Sequence, residues 1–103
     1  MFKRNSIKGN ELGTPPIASS NPESVEVLRL WAAPGSPQQM TIRTSWKDPG
    51  AWGLALVDIM RHVVKAYERE GKNPKEVSMR IRQLFDAELE SPTDNPLDLT
   101  DAE

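Results

Sequence analysis

The chain has 103 residues, 37% of them apolar, with 13 Lys and Arg against 15 Asp and Glu, no Cys and a formal net charge of −2. That length holds one domain, and the absence of cysteine excludes a disulfide framework, a thiolate metal site and a thiol nucleophile. The near-neutral balance removes the electrostatic footprint usual for a nucleic-acid-binding protein.

Met1-Phe2-Lys3-Arg4 makes a short basic start, but no apolar run of ~7–15 residues follows it, so a secretory signal is not expected. The most apolar stretch, residues 51–64, is broken by Asp58, Arg61 and His62 and falls short of the ~20 residues of a membrane span. A cytoplasmic protein is the expectation. Residues 24–90 hold 29 of the 38 apolar residues, whereas residues 1–23 and 91–103 hold 9 between them and 5 of the 9 prolines. Both flanks lack the apolar surface that offsets chain entropy, and both are expected to be disordered. The tail 91–103 carries Asp94, Asp98, Asp101 and Glu103 and no basic residue, so the negative balance lies there. The expected domain is thus residues 24–90, nearly neutral and about 67 residues long. A unit of that size is marginal in stability, and oligomerisation is one common remedy.

In chain order, residues 25–32 are rich in strand formers and alternate in part. Pro34-Gly35 suits the centre of a type II turn. Residues 38–45 alternate again, with Met40, Ile42, Thr44 and then Trp46 on one face, predicting an antiparallel hairpin. Asp48-Pro49 then reads as an N-cap and first helical residue. From Trp52 to Tyr67 apolar residues recur at helical spacing, and Gly71 is a natural terminator, which predicts a helix of about 22 residues. Asn73-Pro74-Lys75-Glu76 repeats the start signal, and Val77, Ile81, Leu84 and Phe85 form the stripe of a second helix. Asp86, Glu88 and Glu90 oppose its C-terminal dipole, so its last turn is expected to fray. The link at Lys72-Asn73 folds the helices back on each other. The expected fold is α+β, a small β-β-α-α unit with a two-stranded antiparallel hairpin packed on a helical hairpin. The first helix has more apolar residues than one stripe needs, because Leu54, Val57 and Val64 fall partly outside it. Either the second helix or a second copy of the chain covers the extra face.

Candidate chemistry is sparse. His62 is the only histidine, and Asp58 lies one helical turn before it, the spacing of a general base and its orienting carboxylate. The same spacing arises on any solvated helix face that also carries Arg61, Lys65 and Arg69. Trp46 and Trp52, with Arg43 and Lys47 close in sequence, suit stacking on a base or flat ligand. They equally suit a strand-to-helix corner, where a residue in the first turn packs back on the approaching chain. Arg80, Arg82 and Lys75 are interleaved with acids and belong to no nucleic-acid-binding motif, and Glu76–Arg80 reads as a helix-face pair. Neither phosphate-loop pattern occurs.

The run from Leu28 to Gly35, the run Thr44-Ser45-Trp46-Lys47-Asp48-Pro49-Gly50-Ala51-Trp52-Gly53 and the helix to Tyr67 and Gly71 resemble a family of short alphaproteobacterial proteins of unknown function. The resemblance spans about residues 25–90 and implies no activity, cofactor or functional residue. The expectation is a non-enzymatic interaction or regulatory module without cofactor or metal. A homodimer or an unidentified protein is the expected partner, rather than nucleic acid or membrane. The alternative is a ligand- or nucleic-acid-binding domain built on Arg43, Trp46, Lys47 and Trp52.

Overall fold

A computed structural model describes residues 9–100. Residues 1–8 of the expected N-terminal arm and residues 101–103 of the expected tail lie outside them. In chain order the elements are α1 (Ile17–Ser20), β1 (Leu28–Trp31), β2 (Gln39–Ile42), α2 (Gly50–Arg69), α3 (Pro74–Glu90) and β3 (Leu97–Asp98). The class is α+β, with a hairpin followed by a helical hairpin.

The hairpin forms where the alternation places it, but each strand is four residues long rather than eight. Pro34-Gly35 makes its turn, with Gly35 at φ 76° and the Ser36 N–H donating to the Ala33 carbonyl at 3.2 Å. Strands β1 and β2 are antiparallel, with Leu28 opposite Ile42 and Leu30 opposite Met40. These four apolar residues share one face, and Arg29, Trp31, Gln39 and Thr41 share the other. One further ladder bond, from the Arg43 N–H to the Val27 carbonyl, extends the pairing before the backbone turns at Ser45.

Two elements lie outside the span 24–90. The single turn α1 follows Pro15-Pro16. Strand β3 pairs parallel with β2, making a three-stranded sheet in the order β1-β2-β3. Leu97 N–H donates to the Gln38 carbonyl at 2.7 Å and Leu99 N–H to the Met40 carbonyl at 2.8 Å. Thr100 Oγ1 accepts from the Ile42 N–H at 2.9 Å. An edge of β2 left open by the hairpin thus receives a segment of low apolar content, held by backbone hydrogen bonds.

Helix punctuation works as chemistry, shifted by one residue at α2. The Asp48 carboxylate accepts from the Gly50 N–H at 2.8 Å, while Pro49 occupies the N-cap position. At the other end Gly71 has φ 96° and donates to the Glu68 carbonyl, and Lys72 N–H donates to the Tyr67 carbonyl. This pair of bonds is a Schellman motif. Asn73 Oδ1 then caps α3 by accepting from the Glu76 N–H at 3.1 Å. The last turn of α3, expected to fray, is held instead. The Glu88 carboxylate accepts from the Thr93 N–H, the Thr93 hydroxyl and the Asp94 N–H, all within 2.8 Å.

The helices pack on each other as an antiparallel hairpin, and the strands pair side by side, but no strand packs on a helix among the described residues. The expected covering of the hairpin by the helices is therefore not made within one chain. No described residue is buried. The part of α2 that includes Met60 and Val64 is half-covered, whereas Leu56, Ile59, Val63 and Tyr67, in the middle of its apolar arc, are exposed. At ~100° per residue that arc spans about 200°, too wide for α3 alone. Leu84, Phe85 and Leu89 on α3 are exposed as well.

Replacing Asn73 by Ala removes the cap of α3 and is expected to cost about 1 kcal/mol, with Ser retaining most of it. Urea unfolding at one fixed protein concentration measures the difference. Equal stabilities of the Ala variant and the wild type would show that the cap is idle.

Candidate functional site

The densest cluster is the corner between β2 and α2. Ser45 adopts φ 64°, a conformation uncommon for a residue with a Cβ. This turns the chain so that the Thr44 carbonyl faces α2. Trp52, in the first turn of α2, donates its Nε1–H to that carbonyl at 2.9 Å. The Trp46 ring meets Trp52 edge to face, with centroids 5.4 Å apart and planes at 78°. Such a pair contributes ~0.5–1.5 kcal/mol beyond burial. Trp52 is half-covered and Trp46 is 43% exposed. The corner therefore joins sheet to helix through one hydrogen bond and one aromatic contact.

The other expected members of the site are dispersed. Arg43 Nε donates to the Glu26 carbonyl at 3.3 Å, just before β1. Lys47 is exposed. Asp58 and His62 are exposed on α2, and His62 Nδ1 lies 2.8 Å from the backbone carbonyl of Asp58. The ring thus bonds to the helix backbone, so its N–H is oriented by a carbonyl. Of the six candidates, Trp46 and Trp52 are brought together ring to ring, and His62 meets Asp58 only at its backbone carbonyl. Arg80 reaches Gln83 at 2.9 Å rather than Glu76.

Three features escaped sequence reasoning. The first is Arg29, whose guanidinium donates to Glu11 at 2.6 Å and to Glu26 at 3.2 Å. The hydrogen bond to Glu11, then that to Glu26, raises its pKa further above the ordinary arginine value. The pair fastens residues near 11 beside β1, along a cleft of about 540 Å³ that Leu12, Ile17, Leu30 and Trp31 help to line. No local spacing links Glu11 to Arg29. The second is the Glu88 clamp. Hydrogen bonds from Asp94 and Thr93 hold the Glu88 carboxyl below the usual carboxylate range. The third is β3, for which the alternation of Leu97, Asp98 and Leu99 was the available signal. A second cleft, about 330 Å³, lies at the turn between α2 and α3 beside Tyr67, Asn73 and Val77. Neither cleft is lined by any of the six candidate residues. Among the described residues no group of three or more His, Asp or Glu is placed to hold a metal ion. Among the described residues no helix is long and apolar enough to cross a membrane.

Fold and site together define a small α+β unit whose side-chain chemistry braces its own corner and helix ends. The chain belongs to a family defined by a domain of unknown function, DUF5076, whose model matches residues 11–93. That span is wider than the resemblance read from residues 25–90 and takes in Glu11 and the Thr93 end of the clamp. A solved structure described as "a putative pyruvate dehydrogenase from the photosynthetic bacterium Rhodopseudomonas palustrus CGA009" is similar at 36% identity and a TM-score of 0.67. The match covers 82% of this chain and 88% of that one. No curated protein matches.

Trp52→Phe keeps the aromatic body and loses the bond to Thr44, so it is expected to lower stability by about 1 kcal/mol. Chemical denaturation checks this, and a neutral result would remove the brace. Because the folded pKa of Glu88 is depressed, its contribution is present above the ordinary carboxylate pKa of ~4.3 and fades as pH falls through the lower folded value. Glu88→Gln is therefore expected to flatten the loss of stability on acidification below about pH 4.3. An unchanged acid profile would contradict the clamp.

Proposed function

We propose that this protein is a non-enzymatic interaction module whose first partner is a second copy of itself. The observation that carries the reading is the absence of any buried residue among those described, with Leu56 51% and Phe85 54% exposed on the two packed helices. A folded 11.5 kDa chain exposes ~5,800 Å² by the usual scaling with mass. This chain exposes 9308 Å². Allotting the eleven undescribed residues the full unfolded-chain value of ~1,800 Å² still leaves an excess of ~1,700 Å². Two copies that each cover this excess bury ~3,400 Å², in the range of obligate dimers at ~2,000–5,000 Å².

A bacterial, cytoplasmic setting is part of the proposal. It is supported by the cysteine-free composition and by the bacterial source of the similar structure. The dehydrogenase description of that structure is left with that structure. The expected Trp46–Trp52 ligand site is less favoured, because Trp52 is engaged with Thr44, Trp46 leans on Trp52, and Arg43 is directed at Glu26.

Sedimentation equilibrium of the full chain from about 1 to 100 µM, the range of ordinary protein association, is expected to show a mass of two chains or a multiple. Ile59→Asp with Val63→Asp places two charges in the exposed arc and is expected to yield monomer. A single-chain mass for the wild type throughout would refute the proposal.

A further inference from the structure

We infer that the apolar stripe of α2 seats in the cleft beside β1 of a second copy, each copy giving its stripe and receiving its partner's. This rests on the self-association proposed above and names the surface that receives the stripe. The cleft, about 540 Å³, has one wall from residues 10–18 and the other from β1 and the residues leading into it. Two contacts tie the walls together within one chain. Glu11 pairs with Arg29 at 2.6 Å, and the Ser24 hydroxyl donates to the Ile17 carbonyl at 3.0 Å. Its apolar lining is open: Leu12 is 93% exposed, and Ile17, Val25 and Leu30 are about half exposed. No residue of α2 or α3 lines it. The arm leaves the sheet after β2 and returns into β3, whereas the cleft follows β1, the other edge of the sheet.

The stripe has the form that such a cleft takes. Leu56, Ile59, Met60 and Val63 stand at the i, i+3, i+4, i+7 spacing of a helix that lies in an apolar groove, and Tyr67 follows one turn later. From Leu56 to Tyr67 the stripe is about 17 Å long at ~1.5 Å per residue. Residues 25–31 extend over about 23 Å at ~3.3 Å per residue, so the stripe fits within the length of that wall. At ~100° per residue Asp58, Arg61, Lys65 and Arg69 lie on the opposite side of α2 and stay in water when the stripe is seated.

Area separates this arrangement from stripe packed on stripe. Even at the ~250 Å² that a large aromatic side chain buries, the exposed fractions of Leu56, Ile59, Val63 and Tyr67 come to at most about 430 Å². That is a quarter of the excess of ~1,700 Å² carried by each chain. Adding Leu12, Ile17, Val25 and Leu30 on the same scale raises the ceiling to about 1,060 Å². Reciprocal seating closes a two-fold pair in which each copy covers both of its open surfaces.

A mixing experiment on the full chain tests the arrangement. A cleft variant carries Leu12→Lys and Ile17→Lys, and a stripe variant carries Ile59→Asp and Val63→Asp. In sedimentation velocity each variant alone is expected to associate at least about tenfold more weakly than wild type, because both of its contacts bury unpaired charge. Mixed in equal amounts, they are expected to form a heterodimer tighter than either alone. One of its contacts then joins an unaltered stripe to an unaltered cleft, and the other sets Lys against Asp. That recovery also shows that both variants fold. If wild type associates and the cleft variant matches it, or the mixture is no tighter than its components, seating in the cleft is overturned and self-association stands. A wild type that stays monomeric to about 100 µM overturns both.

Discussion

The wide apolar arc of α2 governs the rest of this structure. A helix with an arc of about 200° needs cover on two sides, and α3 supplies only one. The hairpin is the obvious second cover, yet it does not reach the helices within the chain. The reason lies in how the arm is held. At one end Ser45 turns the backbone and Trp52 fastens to Thr44. At the other, Glu88 gathers Thr93 and Asp94 before the chain enters β3. Both ends of the arm are thus tied beside the sheet. The stripe stays an open face of the chain.

Much of this was legible in the sequence because it is local. Asp48, Asn73, Pro74 and Gly71 act through backbone groups within four residues of themselves, and the hairpin turn needs only Pro34-Gly35. The alternation of Met40 and Ile42 identified the apolar face of β2, and the register placed Leu28 and Leu30 on it. The breadth of the α2 stripe already posed the question of a second cover. What was not legible depends on distant pairings. Thr100 meets Ile42 across 58 positions, and Arg29 meets Glu11 across 18. Composition argued against β3, because low apolar content says nothing about backbone bonds offered by an open edge. The frayed end expected for α3 followed from the dipole alone. It missed that Glu88 accepts hydrogen bonds from the chain beyond.

The candidate site shows the same division. Proximity in sequence put Arg43, Trp46, Lys47 and Trp52 in one group, whereas in the structure Arg43 bonds to the Glu26 carbonyl and the two rings meet each other edge to face. Asp58 and His62 share a helix edge as the spacing requires, but the imidazole engages the Asp58 carbonyl.

If the core is completed between copies, folding and association are one event, and stability depends on concentration by mass action. Urea unfolding followed by far-UV circular dichroism at about 1, 10 and 100 µM chain measures this directly. The account predicts a midpoint that climbs steadily with concentration, by about 1.4 kcal/mol of apparent stability per tenfold for a dimer. A midpoint that is the same at all three concentrations would contradict it.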